Sequence, residues 1–80
     1  MTIKQVVDMV MKENSKIKIR IEMLNGMKGR EFVYNKENIY KFISGWENYE
    51  VLDFTYQKVI TSLGYIKVLE EPYLYILYKA

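Results

Sequence analysis

Apolar and polar residues repeat along this chain with two different periods, and the change from one to the other marks out its elements. Ile3, Val6, Val7, Val10 and Met11 recur at the spacing of one helical face, with Lys4, Asp8 and Lys12 off that stripe. Thr2 followed three residues later by Gln5 is a capping-box pattern, so a helix is expected to begin there and to end at Asn14-Ser15. The period then drops to two. In Lys16–Met23 charged and apolar residues alternate throughout, which predicts a strand with Ile17, Ile19, Ile21 and Met23 on one face and Lys16, Lys18, Arg20 and Glu22 on the other. Asn25-Gly26 is a strong hairpin signal. A hairpin through it places Ile19 opposite Phe32, Ile17 opposite Tyr34 and Arg20 opposite Glu31, and a longer loop through Gly26-Met27-Lys28-Gly29 keeps the same faces in register.

Helical spacing returns after Asn35, a good N-cap, with Ile39, Phe42, Ile43 and Trp46 on one face; Gly45 stands either inside that helix or at its end. Residues 50–63 fit two templates. Leu52, Phe54 and Tyr56 alternate with Asp53, Thr55 and Gln57 as in a strand. A helix capped by Asp53, with Tyr56, Val59, Ile60 and Leu63 on one face and Gly64 as its stop, accounts for more residues and is the expectation. The tail reads as two strands, residues 65–70 and 73–79, turning at Glu70-Glu71-Pro72. The last has Tyr73, Tyr75 and Leu77 on one face and Leu74, Ile76 and Tyr78 on the other, so it is either central or covered, or one of its faces is an interaction surface. The expected fold is a small single α+β domain over residues 1–80, roughly α-β-β-α-α-β-β, with an antiparallel sheet covered by helices.

Composition narrows the class. Half of the 80 residues are hydrophobic, so the chain can build one modest core, and with no cysteine it has no disulfide to reinforce it. Pairing of two copies is a natural way for so short a chain to bury more area. No apolar run is long enough to span a bilayer and no signal-peptide pattern opens the chain, so a cytoplasmic location is expected, with no membrane association. The net charge of +2 is too small to imply nucleic acid by itself, yet it is unevenly spread: residues 1–36 carry a net +4 and residues 37–80 a net −2. Lys, Ile, Asn and the eight Tyr are plentiful while Ala and Pro are scarce, a bias typical of AT-rich genomes such as those of many phages and mobile elements.

The side chains that usually carry catalysis are missing. There is no His and no Cys, Ser15, Ser44 and Ser62 sit in no nucleophile motif, and Gly26-Met27-Lys28-Gly29 lacks the spacing of a phosphate loop. The local carboxylate groups, Glu47/Glu50/Asp53 and Glu70/Glu71, fit a helix end with its cap and a polar turn. No enzyme activity, cofactor or metal is therefore expected, and a paired-carboxylate site would need a cleft deeper than 80 residues readily provide.

Three binding features stand out. The Lys16, Lys18 and Arg20 stripe can face an acidic partner, although Glu22 and Glu31 share its face. The tyrosines, chiefly Tyr49, Tyr73 and Tyr75 with Tyr78 and Trp46, are of the type that anchors protein interfaces. The run of elements from Asn38 onward is in the order of a winged helix. On that alternative Thr55, Gln57, Lys58, Thr61 and Ser62 are the exposed residues of a DNA-recognition helix, but its single cation and an acidic wing tip suit phosphate poorly.

The layout of an amphipathic first helix, a short sheet and then the helix Glu37-Asn38-Ile39-Tyr40-Lys41-Phe42-Ile43-Ser44-Gly45-Trp46 resembles that of small phage anti-CRISPR proteins of a Cas9-inhibitor family. The likeness covers about the first half of the chain by layout. It implies a small stoichiometric inhibitor. The chain departs from that family in charge, since those inhibitors are strongly acidic, and in its C-terminal strands, so no functional residue is carried over. The sequence therefore points to a non-catalytic binding protein, a phage or mobile-element inhibitor with a protein or ribonucleoprotein partner, with DNA binding as the alternative.

Overall fold

The computed structural model describes residues 1–26, 28–63 and 67–79, with side chains for all of these except 59–63 and 67–70. Its elements run α1 (Ile3–Met11), β1 (Lys16–Met23), β2 (Glu31–Asn35), α2 (Lys36–Ile43), β3 (Val51–Leu63) and β4 (Lys67–Tyr78). This is a small α+β domain with two helices and one mixed sheet, and no helix among the described residues is long and apolar enough to cross a membrane.

Local signals set the first half. The Thr2 hydroxyl accepts from the Gln5 amide at 3.2 Å and the Gln5 side chain accepts from the Thr2 amide at 2.8 Å, completing the capping box. The carbonyls of Tyr49 and Glu47 accept from the amides of Ile3 and Lys4, both at 3.0 Å, so the loop after α2 satisfies donors that a helix start leaves open. Asn35 caps α2 through its side chain, which accepts from the Asn38 amide at 2.8 Å. Strand β1 has the predicted limits, and its register with β2 is the expected one: Ile17 with Tyr34, Ile19 with Phe32, Arg20 with Glu31. The connection is the longer one. Asn25 takes a left-handed conformation (φ 63°) and the Gly26 amide donates to Met23, but the chain loops on to Glu31 before pairing begins, with Met27 outside the described residues. Met23 meanwhile pairs with Tyr78 on the other side of β1.

Three expectations are corrected in the second half. Residues 51–63 form a strand, not a helix. Tyr56, Val59, Ile60 and Leu63 keep helical spacing while Leu52, Phe54 and Tyr56 alternate as in a strand, and the choice falls to a partner: β3 pairs antiparallel with β4 from Val51–Tyr78 to Leu63–Lys67, so tertiary pairing overrides the helical pattern. The helical stop assigned to Gly64 lies outside the described residues. Nor does the chain turn at Glu70-Glu71-Pro72, because β4 is one strand through all three. Proline is tolerated there because β1 first pairs with β4 at Tyr73, so at Pro72 there is no ladder on that side for a missing N–H to break. The separate strand expected at residues 65–70 is thus part of β4 from Lys67, with Tyr65 and Ile66 outside the described residues. Finally, the sheet is mixed: its order is β2-β1-β4-β3, and β1 and β4 run parallel.

Both helices lie on one face of this sheet. Ile3, Val6, Val7, Val10 and Met11 of α1 and Ile39 and Ile43 of α2 are buried against Ile17, Ile19, Leu74 and Ile76 of the two central strands. Tyr40 and Asn14 tie this layer together: the Tyr40 hydroxyl donates to Asp8 at 2.7 Å, and the Asn14 amide donates to the Val10 carbonyl and to the Tyr56 hydroxyl. Before Tyr73, the part of β4 from Lys67 to Pro72 pairs with β3 alone as a two-stranded arm, and the molecule measures 45 × 25 × 17 Å.

Candidate interaction surface

Strand alternation sends every second side chain away from the helices, and the register shows which of these become neighbours. Lys18 pairs with Tyr73, Arg20 with Tyr75 and Glu22 with Leu77; on the far side of β4, Tyr73 pairs with Gln57, Tyr75 with Thr55 and Leu77 with Asp53. On the other flank Lys18 pairs with Val33 and Arg20 with Glu31. The helix-free face is thus a lattice of cations, tyrosines and short polar side chains, with acids among them.

Its centre is bonded together. Arg20 donates through Nε to Glu22 at 2.7 Å and also makes a close Nη2 contact with the same carboxylate, while its guanidinium lies 5.5 Å from the centre of the Tyr75 ring. The Tyr75 hydroxyl donates to Glu22 at 2.9 Å, and the Gly29 amide donates to it at 3.2 Å. These bonds hold Glu22 below the usual carboxylate range, chiefly through Arg20 and then Tyr75, and they raise Arg20 further. Tyr73 donates to Glu31 at 3.3 Å, and Lys18 lies 3.7 Å from the same carboxylate. Burial first, then the Glu31 charge, pushes the Tyr73 phenol up, and the hydrogen bond to Glu22 does the same for Tyr75. Tyr73 thus reaches from β4 across β1 to a carboxylate of β2, and Tyr75 reaches one on β1 itself. At the foot of the face a cleft of about 510 Å³ opens between the end of α1 and the start of the arm, lined among others by Glu13, Asn14, Lys16, Lys18, Glu71 and Pro72. Lys16 is exposed there, and it forms no ion pair among the described residues.

Five sequence-selected residues, Lys16, Lys18, Arg20, Tyr73 and Tyr75, come together here. Tyr49 does not: its ring stacks on Tyr78 at 5.3 Å on the helix side, at the end of the sheet where β3 begins. The recognition helix of the winged-helix alternative is strand β3. Its Thr55 and Gln57 join the face beside Tyr75 and Tyr73, Lys58 takes the opposite parity, and the side chains of Thr61 and Ser62 lie outside the described residues. What sequence reading missed was the union of cations and tyrosines, for which the one signal was a last strand apolar on both faces. Among the described residues no three acidic side chains converge as metal ligands.

Compared with known protein families, curated proteins and solved structures, the chain matches none of them.

Proposed function

We propose that this chain is a non-catalytic binding protein, an inhibitor in the manner of anti-CRISPR proteins that occupies a surface of a host protein or ribonucleoprotein complex, and that it does so with the helix-free face of its sheet. The observation that carries this reading is the bonded lattice of Arg20, Glu22, Tyr73 and Tyr75 flanked by Lys16 and Lys18. Arginine and tyrosine are the residues from which interface hot spots are most often built, and here their rotamers are already fixed by bonds within the face, which lowers the entropy cost of binding. A phage or mobile-element source is supported by the AT-rich compositional bias and the small size.

A protein partner is favoured over nucleic acid because Lys18 and Arg20 already face Glu31 and Glu22, so less positive charge is left for phosphates. The experiment compares wild type with Tyr75→Ala and Arg20→Glu in capture from host extract. Loss of a captured complex in both variants, each still folded by circular dichroism, is expected. Recovery of the same proteins by wild type and variants would remove the face from consideration. Titration with single- and double-stranded DNA at low salt is expected to show no binding; tight binding that weakens steeply with salt would instead establish the nucleic-acid alternative.

A further inference from the structure

The sheet ends in two edge strands that differ in kind, and at the start of β3 the Val51 amide already donates to the Met1 carbonyl. An edge strand offers unpaired N–H and C=O groups to any other strand, and proteins that stay monomeric blunt it with bulges and charges. Strand β3 is blunted in this way: its register shifts between Val51 and Asp53, leaving Leu52 unpaired, and Asp53 and Lys58 stand exposed along it. Strand β2 has no such device. It contains no Pro, Gly or bulge, its single charge is Glu31 at the first position, and Phe32 (42 % exposed) and Val33 (54 % exposed) lie open on its two faces. Along its outer side no further strand pairs with it among the described residues.

We infer that β2 is a self-association edge, at which two copies of the chain pair β2 to β2 antiparallel about a two-fold axis at Val33. A two-fold contact must be complementary to itself, and this strand is. Centred on Val33, the register sets Glu31 opposite Asn35 of the second copy, Phe32 opposite its Tyr34, and Val33 opposite Val33, with no like charges facing within the strand. The even register keeps both helix layers on one side. Phe32 then extends, toward the second copy's Tyr34, an aromatic row in which Phe32, Tyr34 and Phe42 already stand 4.5 to 6.0 Å apart. Five residues give ~17 Å of edge. With the flanking side chains the contact covers on the order of 1,000 Å², the low end of specific interfaces, so the dimer is reversible and depends on concentration. The two helix-free faces become one eight-stranded surface, which presents the lattice around Arg20 and Tyr75 twice.

Sedimentation or light scattering over a concentration series tests this. Wild type is expected to double in mass as concentration rises, Val33→Lys and Val33→Glu are each expected to stay monomeric, and an equimolar mixture of the two is expected to recover the doubled mass. Leu52→Lys, on the other edge, is expected to dimerise like wild type. In the unmodified protein, amide exchange of β2 is expected to slow with concentration, a reading that needs no variant to fold. A wild type that is monomeric throughout, dimerisation by Val33→Lys alone, a mixture that stays monomeric, or loss of the dimer in Leu52→Lys would each overturn the inference. None of these outcomes bears on capture of a partner by the helix-free face, because Arg20 and Tyr75 lie outside the β2 contact.

Discussion

At the residue scale, the polar side chains that bridge elements are where chemistry reports on the fold. Tyr40 joins α2 to Asp8 of α1, and burial, reinforced by the Asp8 hydrogen bond, pushes its phenol up to about 12 from an ordinary value of 10. A group whose value is raised on folding stabilises the folded state fully while it is protonated in both states. That contribution is therefore present below pH 10 and is lost as pH rises through about 12. Urea midpoints measured across this window are expected to fall less in Tyr40→Phe than in wild type, with the variant losing about 1 kcal/mol near neutral pH. An equal fall in both proteins would show that the Tyr40–Asp8 bond does not contribute. Tyr73 and Tyr75 shift in the same direction, so the difference between the two proteins is the informative quantity, not the wild-type slope.

At the element scale, caps and close approaches decide where helices start and how the loop after β1 can run. Helix α2 is short, eight residues, so its start matters more than its interior. Asn35→Ala removes the side chain that accepts from the Asn38 amide and is expected to cost about 1 kcal/mol in chemical denaturation. Two glycines make a matched pair. A Cβ at Gly29 would run into the backbone carbonyl oxygen of Ile21, whereas one at Gly45 would meet nothing within 4 Å. Gly29→Ala is therefore expected to lower the melting temperature by several degrees and to disturb the amide that donates to Glu22, while Gly45→Ala leaves it unchanged. Similar effects at both sites would mean that the loop shifts freely to make room.

At the scale of the whole molecule, the last strand holds the two halves together. Strand β4 is central, and it supplies Leu74 and Ile76 to the core and Tyr73 and Tyr75 to the opposite face. A chain ending at Glu71 keeps α1, the β1–β2 pair and α2 but loses the strand on which they pack. It is expected to show no cooperative unfolding transition by circular dichroism; a sharp transition would mean that the first half folds alone. The contact between Lys18 of β1 and Tyr73 of β4 spans most of the chain, so the face around Arg20 and Tyr75 is assembled only when the whole domain has formed.

The sequence by itself determined what depends on neighbours in the chain. Both helix caps, the apolar stripes of α1 and α2, the limits of β1 and its register with β2 follow from spacing and from a few hydrogen bonds over three or four residues. Tertiary structure decided whatever needed a distant partner. Apolar residues at positions 56, 59, 60 and 63 keep helical spacing while those at 52, 54 and 56 alternate as in a strand, and only the twelve residues of β4 beside them made the segment a strand. The parallel pairing of β4 with β1 placed Tyr73 and Tyr75 next to Lys18 and Arg20, more than fifty residues away in sequence, and Tyr49 lies on the other side. Alternation fixes which side of a strand a residue occupies, but only pairing between strands fixes what lies beside it.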